Sequence, residues 1–126
     1  MAGPIHPRLL RRARATRAFL VATVAVANVL QDLPVTKEAT TSRVLVNNPL
    51  LRVVDFAFDE GQLLTEHSSP RAVVVTLLSG TMDFDLGPET HHLAPGDVLY
   101  MAPGAVHALR ATSPCHMQLV MVDVDA

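Results

Sequence analysis

The histidines and their neighbours are the side chains of this 126-residue chain that could do chemistry. His67 lies six residues after Gly61, with Ser69 two residues on and Val73 four beyond that; His107 lies three residues after Gly104 and eleven after Gly96. An imidazole can ligate a divalent metal, move a proton, or anchor a polar ligand, and which of these it does depends on its company. His91 and His92 are adjacent, so a strand would turn them to opposite faces, and they read as surface groups. Cys115 and His116 form one soft pair without the second pair that a zinc site would need, and Cys115 reads as a small buried hydrophobe. No Ser/His/Asp order, phosphate-cradling glycine loop or paired carboxylates in a plausible common pocket occurs, which argues against hydrolase, nucleotide-binding and glycosidase chemistry.

The elements that must position these residues are strands. From Thr41 onward helical periodicity is missing, and short β-branched or alternating runs recur: 42–46, 51–58, 72–78, 81–86, 90–93, 97–101, 106–111 and 117–124. Between them stand Asn47-Asn48-Pro49, Asp59-Glu60-Gly61, Ser79-Gly80, Gly87-Pro88, Ala94-Pro95-Gly96, Pro103-Gly104 and Ser113-Pro114, all turn formers. The fold class is all-β. Eight short strands at this spacing predict a small jelly-roll barrel, a closure that hides the edges an open sheet would expose.

Taken together, Gly61, His67 and Gly80, and then Gly96, Gly104 and His107 in GDVLYMAPGAVH, resemble the two motifs of the cupin family. The resemblance covers about residues 42 to 124 and rests on the joint spacing of both motifs. It implies a small double-stranded β-helix whose barrel holds a ligand or a metal. It also implies where this chain departs from metal-binding members, in which two histidines and a glutamate of the first motif and a histidine of the second ligate the ion. Here those four positions read His67, Ser69, Val73 and His107. Two imidazoles suffice only for weak retention of Zn, Mn, Ni or Fe, so no tightly bound cofactor is expected. The predicted ligand pocket comprises His67, Ser69, Val73, His107, Gln62 and Tyr100, with His67 and His107 as its polar anchors and candidate metal ligands, which Ser69 or one of His91 and His92 would join in a metal-dependent enzyme.

Three functions follow as alternatives: a small-molecule-binding cupin of unassigned reaction, a metal-dependent dioxygenase or isomerase, and an effector-binding or interaction module. The apolar run Leu50 to Phe58 exceeds what one barrel face needs and predicts a homodimer.

Charge divides the chain. Residues 1–31 hold Arg8, Arg11, Arg12, Arg14 and Arg17 and no acid, whereas residues 32–126 carry five bases against twelve acids. The acidic body has no basic, aromatic-studded face, so nucleic acid is not an expected partner. Residues 1–31 read as a basic and apolar extension, helical or flexible, 32–41 as a linker, and 42–126 as the barrel. The apolar stretch 18–30 is too short to span a membrane. Ala25-Val26-Ala27 after a basic region fits a secretory cleavage pattern, so the expected compartment is cytoplasmic unless residues 1–27 direct export.

Overall fold

The structure, a computed structural model, describes residues 23–124. Most of the predicted extension, with all five of its arginines, lies outside the described residues. Among them are nine strands and no helix: β1 Thr40–Asn47, β2 Leu51–Phe58, β3 Leu63–His67, β4 Ala72–Ser79, β5 Met82–Leu86, β6 Glu89–Leu93, β7 Val98–Met101, β8 His107–Ala111 and β9 Cys115–Val122. They form a five-stranded sheet ordered β1-β2-β9-β4-β7 and a four-stranded sheet ordered β3-β8-β5-β6, every pair antiparallel. Strands β2 to β9 make the predicted jelly roll, and β1 adds a further edge to β2.

Alternation along each strand decides which side chains meet between the sheets. Val73, Val75 and Leu77 of β4 point inward with Met117 of β9, Met101 of β7 and Phe58 of β2. From the smaller sheet they meet Met82, Phe84, Leu93, Leu109 and Ala111. Each large side chain buried this fully contributes on the order of 1.5–3 kcal/mol, so this layer outweighs any single polar contact in holding the sheets together.

Sequence alternation missed β3, the strand that carries His67. Its residues, LLTEH, are mostly exposed and do not alternate. Residues 67 and 73 belong to different sheets, and a loop at 68–71 separates them. What turns His67 toward the barrel is an irregularity. Leu64 pairs with Leu109 and His67 with His107, so three steps on β3 oppose two on β8. This extra residue is a β-bulge, which places His67 rather than Glu66 opposite His107.

Gly80 occupies a turn that no side chain fits. Its φ is +74°, and an added Cβ would lie 2.1 Å from the Pro114 carbonyl oxygen and 2.5 Å from the Cys115 Cβ. Both obstacles belong to a well-packed segment, because Cys115 is fully buried and its thiol is pushed up to about 11 by that burial. Gly80→Ala is expected to cost about 3 kcal/mol, from forbidden φ plus overpacking, read as a lowered midpoint in chemical denaturation.

The segment before β1 is held on the outer face of the larger sheet. The Nε2–H of His116 donates to the Leu33 carbonyl (2.6 Å), its Nδ1 accepts from the Ser79 hydroxyl (2.7 Å), and Arg43 pairs with Asp32 (3.5 Å). Residues 32–41, expected as a plain linker, thus include a buried anchor, Leu33. Asp55 lies on this same face, paired in register with Arg43 and Gln118, and is 1% exposed. Gln118, His116 and Arg43 favour its charged form, but neither carboxylate oxygen has a well-aligned hydrogen-bond donor, so burial dominates and raises its pKa. A raised carboxyl pKa means that ionisation opposes folding, and the cost appears as pH rises above the unfolded value of 3.8. Asp55→Asn should therefore stabilise the protein at pH 7, by on the order of 1 kcal/mol, and the gain should shrink toward pH 4. Thermal unfolding of both proteins across that range checks the sign.

Candidate functional site

Two loops bring the motif histidines together. Pro103 and Gly104 turn the chain between β7 and β8, and the Gly104 amide donates to the Ser69 carbonyl in the β3–β4 loop (2.7 Å). Gly104 has φ +83°, a conformation that an L-residue resists, so this turn places a glycine where the backbone must reach across. The bond sets the end of β3 beside the start of β8, where His67 and His107 are direct cross-strand partners. Their ring centroids are 4.0 Å apart at a tilt of 58°. Phe84 stacks on the other side of His107, at 5.8 Å and 8°, and Leu86 is its register partner on β5.

The hydrogen bonds fix the tautomers. His67 Nδ1 lies 2.7 Å from the Thr65 carbonyl oxygen and His107 Nδ1 lies 3.1 Å from that of Ala105. A carbonyl only accepts, so each Nδ1 carries the proton and each neutral ring keeps its lone pair on Nε2. Both bonds span two residues within the chain, so the backbone conformation itself orients each ring. The site offers two imidazole acceptors close together, one ring exposed (His67) and one 7% exposed (His107). Burial lowers the His107 pKa, the Ala105 carbonyl partly opposes this, and the neighbouring His67 lowers it further. A small cavity of about 70 Å³ adjoins His107, lined also by Glu66, Asp85, Gly87, Val106 and Ala108.

The other predicted site residues are spread more widely. Ser69 is in the adjoining loop, where its Oγ accepts from the Arg71 amide (3.2 Å). Val73 is 3% exposed within the core of the larger sheet and has no donor atom to offer. Gln62 precedes β3 and is joined to Ala111 at the opposite end of the β3–β8 pair; its side chain accepts from the Thr40 hydroxyl (3.2 Å). Tyr100 is 63% exposed on β7 and pairs with Val74, which puts it on the outer face. The structure thus brings together His67, His107 and the Ser69 loop, and sets Gln62 and Tyr100 apart from them. His91 and His92 sit on edge strand β6, paired with Glu89 (3.3 Å) and Asp83 (2.5 Å), across the smaller sheet from β3. Sequence reasoning passed over Phe84 as a site residue; its inward parity was legible, but its stacking on His107 depends on the β5–β8 register.

The comparisons agree with this architecture. The cupin domain family matches residues 54–123, and the chain belongs to that family. A conserved protein of unknown function from Streptococcus pyogenes is 33% identical, with 83% of this chain and 92% of that one covered and a TM-score of 0.75. A cupin superfamily protein from Desulfitobacterium hafniense (18% identity, coverage 71% and 83%, TM-score 0.69) and KdgF from a Halomonas species (22%, 71% and 85%, 0.63) share the fold. No curated protein matches the chain.

Metals are bound by many members of this fold, so the donor set must be tested against one. Ser69 Oγ is engaged by a backbone amide, Val73 is a hydrocarbon, and the two Nε2 atoms are what remains of the four motif positions. Among the described residues no group of three or more His, Cys, Asp or Glu side chains is placed to hold one ion. A catalytic metal ordinarily takes three protein ligands, and this pair does not fit a tightly held one.

The lowered His107 pKa has a measurable sign. The folded state holds this ring neutral, so stability is complete above the unfolded value of 6.5 and declines as pH falls through it. NMR titration should place the His107 midpoint below 6.5, and His67→Ala should move it upward by removing both a neighbouring charge and part of the cover.

Proposed function

We propose that this cupin binds a small, largely apolar molecule at the β3–β8 end of its barrel, with His67 and His107 as the anchors that orient it. The observation that carries the reading is the pair of Nδ1–H bonds to backbone carbonyls, which leaves the lone pair of each ring on Nε2, in two rings 4.0 Å apart next to Phe84 and Leu86. Such a site suits a ligand with a hydroxyl or N–H at one end, because that donor meets two acceptors while the rest of the molecule covers hydrocarbon. Rings already held by their own backbone lose little freedom on binding.

The same tautomer is the one that a metal-ligating imidazole adopts, which favours a second role for the pair as a weak divalent site. The two roles separate in one set of titrations. Calorimetry with Zn, Mn, Ni and Fe(II) should give weak binding that is lost on dialysis and abolished in His107→Ala. A thermal-shift screen of small phenols and alcohols should stabilise the wild type and fail to stabilise the His67→Ala/His107→Ala protein. Stoichiometric metal surviving dialysis would replace the small-molecule reading with the metalloprotein one. Ser69→His/Val73→Glu should bind metal more tightly than wild type and, without metal, be less stable, because it buries a carboxylate in the core.

A further inference from the structure

The inner face of the larger sheet ends in a row that reads Arg52 on β2, Met121 on β9, Val73 on β4 and Met101 on β7. Residues paired in register share a face, and Val73 and Met101 are core residues, so Arg52 projects inward with them. It is the one ionisable group of that row.

The connections decide what the row faces. Residues 59–62 tie β2 to β3, 80–81 tie β4 to β5, 94–97 tie β6 to β7 and 112–114 tie β8 to β9, each a short link between the two sheets. The orders β2-β9-β4-β7 and β3-β8-β5-β6 are therefore stacked strand on strand, with β2 over β3, β9 over β8, β4 over β5 and β7 over β6. Arg52 stands near the start of β2 and His67 at the end of β3, both at the end away from their common link. By the same geometry Met121 lies over His107, and Val73 over Leu86. The mouth of the barrel thus has a guanidinium on one wall and the two imidazoles on the other. Glu89 closes the histidine row on β6, across the mouth from Arg52, and its carboxylate is already paired with His91 (3.3 Å).

Arg52 is half-buried and has no hydrogen-bond or ion-pair partner among the described residues, and its Nε is buried without an acceptor. A guanidinium N–H removed from water and left unpaired costs stability, and the apolar neighbours Met121 and Val73 give the fold no need of a charge there. On a body with five bases against twelve acids, an anion is not drawn in by the surface at large, so a cation inside the mouth must supply the attraction.

We infer that Arg52 is the acid-binding group of this mouth and that the molecule oriented by His67 and His107 is a small hydroxylated carboxylic acid. Its carboxylate takes two parallel N–H···O bonds from the guanidinium, its hydroxyl donates to the imidazole Nε2 atoms, and its hydrocarbon covers Met121 and Leu86. This rests on the histidine-anchored reading above and narrows it from any polar-tipped molecule to an anion. Sheets packed face to face stand about 10 Å apart, and the arginine stem fills part of that gap, which leaves room for one aromatic ring or a short chain.

Calorimetry of the full chain at pH 7 with 4-hydroxybenzoate, 3-hydroxybutyrate and the methyl ester of each compares an acid with the neutral form of the same skeleton. At least one acid should bind about 10-fold or more tightly than its ester. Arg52→Met should lower that acid's affinity by at least about 10-fold and leave the ester's within about twofold, and Arg52→Lys, which keeps the charge without the fork, should fall between. Without ligand, Arg52→Met should melt no lower than wild type, because the unpaired N–H is removed and the hydrocarbon kept. Acid and ester binding equally, in wild type and Arg52→Met alike, overturns the inference and leaves the histidine reading in place. An acid that loses affinity in Arg52→Met but keeps it in His67→Ala/His107→Ala upholds the acid site and overturns the histidine reading instead. Failure of all four compounds to bind wild type overturns both. A lowered melting temperature in Arg52→Met with acid affinity unchanged makes Arg52 a structural residue and overturns the inference as well.

Discussion

The hydrogen bond from the Gly104 amide to the Ser69 carbonyl is the contact on which the site depends. It joins the two loops that in sequence are more than thirty residues apart, and it does so at the point where each loop delivers a histidine to its strand. A backbone bond of this kind asks nothing of the side chain at residue 69 and demands a positive φ at residue 104. The consequence is a division of labour: the glycine builds the geometry, and the side chains at 69 and 73 take no part in it. Val73 is an ordinary core residue beside Val75 and Leu77, and Ser69 steadies its own loop by accepting from the Arg71 amide.

The two histidines make a site of particular electrostatic character. A histidine set with a carboxylate is built for a cation. Two imidazoles 4.0 Å apart, one of them buried against Phe84, discourage positive charge instead, since protonation of His107 is opposed by desolvation and by the neighbouring His67 ring. Acceptance of a hydrogen bond from a neutral donor involves no such conflict. The proposed preference for a polar-tipped apolar ligand over a tightly held ion thus rests on Ser69 and Val73, which offer the site no free donor, as much as on the two histidines.

Legibility from sequence followed the strength of each local signal. Strands β2, β4 and β9 could be read because β-branched runs bounded by turn formers leave little choice, and Gly61, Gly80, Gly96 and Gly104 could be read because all four have positive φ. The eight predicted strands had the right number for a jelly roll but the wrong membership: β1 was counted, and β3, which lacks alternation, was not. His67 and His107 were found through motif spacing, while the bulge that turns His67 inward has no sequence signature, since it shows only as a mismatch between β3 and β8. Gln62 and Tyr100 were grouped with the pocket by residue type alone, and type does not say which end of a strand pair or which face of a sheet a side chain occupies. Asp55 had no signal at all; it looks like a surface acid within an apolar strand until the segment around Leu33 covers it.

That buried acid bears on why the segment before β1 is held as it is. A closed sandwich needs no cover on its outer face, and a carboxyl group on such a face would ordinarily be solvated. Covering it costs stability, which His116 and Arg43 offset in part by clasping Leu33 and Asp32. A structure that accepts this cost at one place on the outer sheet, while leaving the neighbouring valines and Tyr100 open, has an outer face organised into two halves: one sealed by its own chain and one still unsealed. The barrel interior is complete without either half. The two sides of the same strands therefore carry different surfaces, with β4 and β9 presenting Val73, Val75, Leu119 and Met121 to the interior and Val74 and Val120 to the outside.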